Sequence, residues 1–334
     1  MTAKLLVLFV VPILFVIGAM ISPDRVSTPP PKIESIPQTS IHEPIKPIPT
    51  ELHLDQRKVE LGERLFNDPR LARDGATACA SCHDLNNGGG DSGMHANTAS
   101  KMGGALNTPT VFNCGFNFRQ FWDGRAATLE EQVDGPLLNP TEMASTWSET
   151  LAKLRADPAY VTEFRALFGG EIQPAQVRSA IAEFERSLIT PNSRFDQYLR
   201  GKQDAITAEE KEGYRKFKAY GCASCHQGVN VGGNMFEQLG AVADYYSERK
   251  ATSADLGRFN VTHNEEDRHV FKVPGLRNVA LTAPYFHDGS AETLEEAIEV
   301  MGQYQLGRKL SQEDIEEISS FLETLTGEYR GAPL

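Results

Sequence analysis

The chain has 334 residues, 40% of them hydrophobic and 23% charged, with a formal net charge of −12. That length supports two domains with sizeable cores. The acidic balance and the lack of any long basic block argue against nucleic acid as a partner; acidity of this size would suit a basic redox protein, but it is common among soluble proteins.

Lys4 precedes an apolar run from Leu5 to Ile21, broken only by Pro12 and Gly18. Residues 1–21 therefore read as a signal peptide or an N-terminal membrane anchor. The run is barely long enough to span a bilayer, and Gly18 and Ala19 make a poor cleavage site, so both readings stay open. Either one carries the rest of the chain across a membrane. It predicts a periplasmic protein, soluble after cleavage or tethered to the inner membrane through residues 5–21. Residues 22–50 hold eight prolines and no hydrophobic period, which predicts an extended, semi-rigid linker.

From Glu51 to Phe66 the pattern is helical, with Val59, Leu61, Leu65 and Phe66 as the buried face and Asn67-Asp68-Pro69 as the stop. Cys79-Ala80-Ser81-Cys82-His83 follows a short loop, and the same five letters return at Cys222-Ala223-Ser224-Cys225-His226. C-x-x-C-H reads as covalent c-type haem attachment. The two thiols form thioethers and the adjacent imidazole becomes an axial iron ligand. A redox disulfide has no need of the His. A zinc ribbon needs its two C-x-x-C pairs close together, and these lie in different halves of the chain. Two haem c groups are expected.

Beyond the first motif, the Gly-rich stretch from Gly88 to Ala105 predicts a loop. It carries His95, Met94 and Met102, the nearby candidates for a sixth ligand to the first iron. An aromatic segment with Phe116, Phe118, Phe121 and Trp122 suits either a haem wall or an ordinary core. Cys114 within it reads as a buried small hydrophobe. Thr128-Leu129-Glu130-Glu131 opens a helix with a capping box. Gln132 lies on that helix, Pro136 and Pro140 are expected to break it, and Glu142 falls on the loop beyond. Helices are predicted over roughly Ser148 to Arg155 and Pro174 to Leu188.

The second half repeats the plan. Thr207 caps a helix that leads to the second motif. A long polar section from Asn230 to Arg268 shows few periodic signals. Leu294 to Met301 reads as helix, and Ser311 caps a last amphipathic one. The predicted fold is mainly α: two cytochrome c-like haem domains in tandem, residues 51–200 and 201–334, with long loops and minor β content.

Met301 is a candidate sixth ligand of the second haem, although a helical Met is more often core. A His/Met pair raises the reduction potential. The first haem has no Met in a comparable helix. One closed and one loosely closed iron point to an enzyme with a built-in electron relay.

Four stretches carry a resemblance: Asn107 to Asn113 (NTPTVFN), Gln120 to Ala126 (QFWDGRA), Leu276 to Gly289 (LRNVALTAPYFHDG) and Leu294 to Gly302 (LEEAIEVMG). With the two haem motifs, they make the chain similar to the bacterial di-haem cytochrome c peroxidases from about Glu51 to Gly327. The resemblance implies hydrogen peroxide as substrate and a small cytochrome c or cupredoxin as donor. His83 would hold the peroxidatic haem; His226 and Met301 would hold the electron-transferring one. Glu142 would be the acid–base residue, Gln132 its polar neighbour, and Trp122 a conduit between the haems. A calcium ion would sit on Asn107 and the carbonyls of Thr282 and Pro284, an all-oxygen set that suits a hard cation. A homodimer is also implied.

Many members place a distal His where this chain has Ala99. Two states stay open: His95 ligates the resting first iron and leaves on activation, or that haem is five-coordinate throughout. Two competing functions also stand, a di-haem electron carrier without substrate and a protein-modifying di-haem oxidase. Gln132 and Glu142 weigh against the first. Met301, where such oxidases carry Tyr, weighs against the second.

Overall fold

Aspartate and threonine caps set most of the helix starts. The computed structural model describes residues 43–91, 106–247 and 249–334. The apolar run at 5–21, most of the Pro-rich stretch and the loop with Met94, His95, Ala99 and Met102 lie outside them. Among the described residues, no helix is long and apolar enough to cross a membrane.

Helix α1 (Gln56–Phe66) begins where the Asp55 carboxylate accepts the Arg57 N–H. The helix expected from Glu51 is thus shorter: residues 51–55 lead into the cap without helical structure. Helices α2 (Leu129–Gln132) and α3 (Asp134–Leu138) follow the aromatic segment, and Thr128 caps α2. Pro136 does not end a helix as expected. It sits in the first turn of α3, where its missing N–H removes no intrahelical bond. Helices α4 (Trp147–Arg155), α5 (Pro158–Phe168), α6 (Pro174–Ser187) and α7 (Arg194–Leu199) complete the N-terminal half. Helix α5 was not expected. Asp157 caps it, with Pro158 at its first position, a start signal easily taken for a break.

The C-terminal half holds α8 (Ala208–Ala219), the short α9 (Phe259–Thr262), α10 (Leu294–Val300) and α11 (Gln312–Glu323). Full capping boxes at Thr207, Thr293 and Ser311 open α8, α10 and α11. Strands are few and short. β1 (Phe236–Gln238) pairs antiparallel with β2 (Val270–Lys272), Phe236 opposite Lys272. β3 (Glu328–Tyr329) pairs with β4 (Ala332–Pro333).

Two main apolar clusters organise the core, and α7 packs into the second. Leu61, Leu65, Phe164, Val177 and Ile181 belong to the first, and Phe195, Tyr214, Phe217, Ile318 and Phe321 to the second. In each, the helix that precedes the haem motif crosses a partner helix at a glycine. A Cβ on Gly62 of α1 would lie 2.0 Å from the Ala180 carbonyl oxygen of α6; one on Gly213 of α8 would lie 1.8 Å from that of Glu317 on α11. Only a residue without a side chain lets the backbones approach so closely.

The end of the Pro-rich stretch is extended but packed. Ile45 and Ile48 are buried, and Ile45 belongs to the second cluster. Lys46 N–H donates to the Gly228 carbonyl at 3.1 Å, and Gly228 N–H to that of Pro44 at 2.8 Å. Arg277, wholly buried, pairs with buried Asp196 at 2.8 Å and donates to the Lys46 carbonyl. Proline fixes this segment's extended backbone; the two isoleucines and Arg277 fix its place.

Candidate active site and haem pockets

In both C-x-x-C-H motifs the first three residues form one 3-10 turn, which brings the following imidazole under its half's core. His83 Nδ1 lies 3.2 Å from the Gly89 carbonyl, an arrangement in which the ring N–H donates. That bond fixes the tautomer and leaves Nε2 as a ligand. His226 is equally enclosed. Val231 and Pro274 carbonyls lie beside its ring, but Nδ1 makes no hydrogen bond of full geometry. Burial pushes both imidazoles down to about 4, so each is the neutral, metal-binding form. Burial also pushes the Cys79 thiol up to about 12 and the Cys222 thiol up to about 11. These are not activated thiolates. Neutral sulfurs beside a neutral buried imidazole fit covalent haem attachment.

A cavity of about 290 Å³ opens beside the second motif. Cys222, Cys225 and His226 line it together with Met301 and apolar groups such as Phe217, Leu294, Ile298 and Leu322. Met301 closes α10 and starts a π-helical segment, Met301–Gln305. Such wide turns are frequent at functional sites. This donor set, an imidazole and a thioether around an apolar hollow, fits a haem.

The same cavity reaches Asn107, Gln120, Trp122, Lys272 and His287 between the halves. Trp122 Nε1–H donates to the Asn107 carbonyl at 2.9 Å. Its ring meets His287 edge-on, with centroids 6.5 Å apart. His287 in turn stacks on Phe271 at 4.4 Å and pairs with Asp255 at 2.8 Å. The Asn107 side-chain amide lies 2.6 Å from the Pro284 carbonyl and 3.1 Å from that of Phe286. Asn107 and Pro284, two of the residues expected to hold calcium, are thus in direct contact, and the third, Thr282, lines the same cavity.

Gln132 ends α2 half-buried, and no hydrogen bond joins it to Glu142. Glu142 is exposed on a turn, where Asn139 Nδ2–H donates to its carboxylate at 2.6 Å. Its negative charge helps raise the Cys82 thiol, after burial and Asp91. Glu142 thus lies within electrostatic reach of the first motif. His95 lies outside the described residues.

Sequence reasoning found the pentapeptide repeat but missed a longer one. Residues 107–136 match 272–301 in register: Pro109 with Pro274, Asn113 with Asn278, and F-x-D-G-x-A-x-T-L-E-E at 121–131 with 286–296. The backbones agree. Asn113 and Asn278 have φ of 59° and 60°, and Phe121 and Phe286 both have 68°. Bridges Gln120–Ala126 and Tyr285–Ala291 correspond. In this register Trp122 matches His287, and Met301 matches Pro136. A second missed signal is G-x-R-x-F, at Gly62–Phe66 and Gly213–Phe217. It supplies each helix crossing, and an aromatic ring 6.4 Å from His83 and 6.5 Å from His226.

An internally repeated, mainly helical chain with two such imidazole sites has the architecture of a tandem c-type haem protein. A family model described as di-haem cytochrome c peroxidase matches residues 56–204. Cytochrome c peroxidase Ccp of Escherichia coli is 50% identical over 292 residues, 86% of this chain; the match covers 62% of that relative. Cytochrome c551 peroxidase of Nitrosomonas europaea is 44% identical, covering 86% of this chain and 85% of its own length. A crystal structure of a MauG-like protein associated with microbial copper homeostasis superposes with a TM-score of 0.71 at 28% identity, covering 88% of this chain and 95% of that one. The chain belongs to the di-haem cytochrome c peroxidase family. It is an oxidoreductase acting on peroxide, and its cofactors are two haem c groups.

Proposed function

We propose that this protein reduces hydrogen peroxide to water with electrons from a small cytochrome c or cupredoxin. They enter at the C-terminal haem and pass to the N-terminal one. The observation that carries this direction is the match of Met301 with Pro136. One copy of the repeat would offer a thioether to its haem; the other has at that position a ring with no donor atom. The first haem would lack a thioether from this position, and Glu142 lies within electrostatic reach of its attachment motif.

In this reading Cys79 and Cys82 attach one haem and Cys222 and Cys225 the other, with His83 and His226 as proximal ligands. The haems supply the redox chemistry, taking up and passing on single electrons. Glu142 moves a proton from one peroxide oxygen to the other, so that water can leave, and the Gln132 amide steadies the charge that develops. Trp122, held by Asn107 and faced by His287, bridges the gap between the halves. Asn107 and the Thr282 and Pro284 carbonyls hold a calcium ion there; their oxygen-rich neighbourhood supports this. His95 closes the resting first haem or leaves it open, as the sequence allows. We further read residues 51–200 and 201–334 as the two haem domains, residues 1–21 as a signal or anchor that delivers them to the periplasm, and the protein as a homodimer.

The test is anaerobic half-reduction, then stoichiometric peroxide and a reduced small cytochrome. Two donors should be oxidised per peroxide. A lower ratio overturns the reading.

A further inference from the structure

The two copies of the long repeat meet face to face and make one main-chain bond twice. Asn107 N–H donates to the His287 carbonyl at 2.7 Å, and Lys272 N–H donates to that of Trp122 at 2.8 Å. Asn107 matches Lys272 in the repeat, and His287 matches Trp122. The halves are therefore related by an approximate two-fold axis through this interface.

The matching side chains differ. Asn107 brings a neutral amide to the carbonyls of Pro284 and Phe286, where a cation is proposed. Lys272 brings a charge of its own. It is 7% exposed and lines the cavity that also holds Cys222, Cys225 and His226. Its ammonium has no hydrogen bond or ion pair among the described residues. Arg277, another cation lining this cavity, is already paired with Asp196. Burial pushes Lys272 down to about 8, and the Cys114 thiol opposes that shift. An enclosed charge without a partner is costly, so Lys272 calls for an anion in its part of the cavity. A haem brings two carboxylates.

We propose that Lys272 is the fixed cation of the second copy, with its ammonium serving as counter-ion to a carboxylate of the C-terminal haem. This rests on the placement of that haem in the cavity. Lys272 is a positioning residue. A cation beside a haem favours the reduced form, so Lys272 helps keep the C-terminal haem at high potential.

The experiment is a potentiometric titration of both haems in the full chain, followed optically, for wild type, Lys272→Met and Lys272→Arg. Haem content is measured in parallel as the pyridine haemochrome. Lys272→Met should keep two haems per chain and shift the C-terminal potential downward, with the N-terminal one unmoved. Lys272→Arg should stay near wild type. Unchanged potentials in a two-haem Lys272→Met protein overturn the proposal, as does a shift confined to the N-terminal haem. An equal fall in both variants assigns the effect to packing and also overturns it. If Lys272→Met does not accumulate, Lys272→Gln is held to the same outcomes. A wild-type chain with only one haem would instead overturn the placement on which the proposal rests.

Discussion

Glu142 owes its position to Asn139. The Asn139 carbonyl accepts the Glu142 N–H at 3.1 Å, its Oδ1 accepts from Thr141, and its amide holds the Glu142 carboxylate. Glu142→Gln keeps this turn but removes the transferable proton. Peroxide turnover should fall by roughly 100- to 10,000-fold with the resting optical spectrum unchanged; steady-state assay with reduced cytochrome checks this. Glu185 makes a second residue-scale prediction. Its carboxyl is buried on α6, and burial raises it from 4.5 to about 8, with Arg186 opposing. The folded chain keeps a proton there that the unfolded chain releases above pH 4.5. The associated stability is full below pH 4.5 and is lost as pH rises through about 8. Glu185→Gln should flatten that fall, at about 1.4 kcal/mol per pK unit, in urea unfolding curves at pH 5 and 8. Little of this was legible in the sequence. C-x-x-C-H declares itself because covalent attachment demands adjacent letters. Glu185 and Lys272 do not, since their chemistry comes from what encloses them.

The two glycine crossings govern the helices. Gly62→Ala and Gly213→Ala each place a Cβ against carbonyl oxygen in a partner helix that cannot recede without dragging its core. Each should destabilise the protein by about 1–3 kcal/mol, read as a lower melting temperature, whereas Gly170→Ala, with open space around it, should be neutral. At this scale the sequence was more readable. Thr128, Thr207 and Ser311 announced their helices because a capping box needs only two residues three apart. Helices α5 and α7 escaped. Proline, as at Pro158, marks either a start or a break, and α7 has only six residues, too few to show a period. The π turn at Met301 also left no signal, because its five residues continue an ordinary helical pattern.

For the molecule as a whole, the proposed electron path crosses the interface between the copies. Trp122→Phe removes the indole N–H that reaches Asn107 and shrinks the ring facing His287. It should leave both haems attached and the donor reaction intact, yet slow re-reduction of the N-terminal haem in stopped-flow traces. Equal rates in variant and wild type would remove Trp122 from the path. The tandem plan was legible from the pentapeptides alone, but its two-fold arrangement was not; that appears only where Asn107 meets His287 and Lys272 meets Trp122. One residue sits between the copies and belongs to neither. Thr190 is wholly buried, and its hydroxyl accepts from Asn113 Nδ2 at 2.7 Å and from Asn278 Nδ2 at 3.0 Å. Equivalent asparagines in two descendants of one unit have come to depend on a single threonine. Either descendant, inherited alone, would lack half of that arrangement, and a buried amide without its acceptor costs about 1–3 kcal/mol. A change at position 190 would therefore be felt in both copies at once.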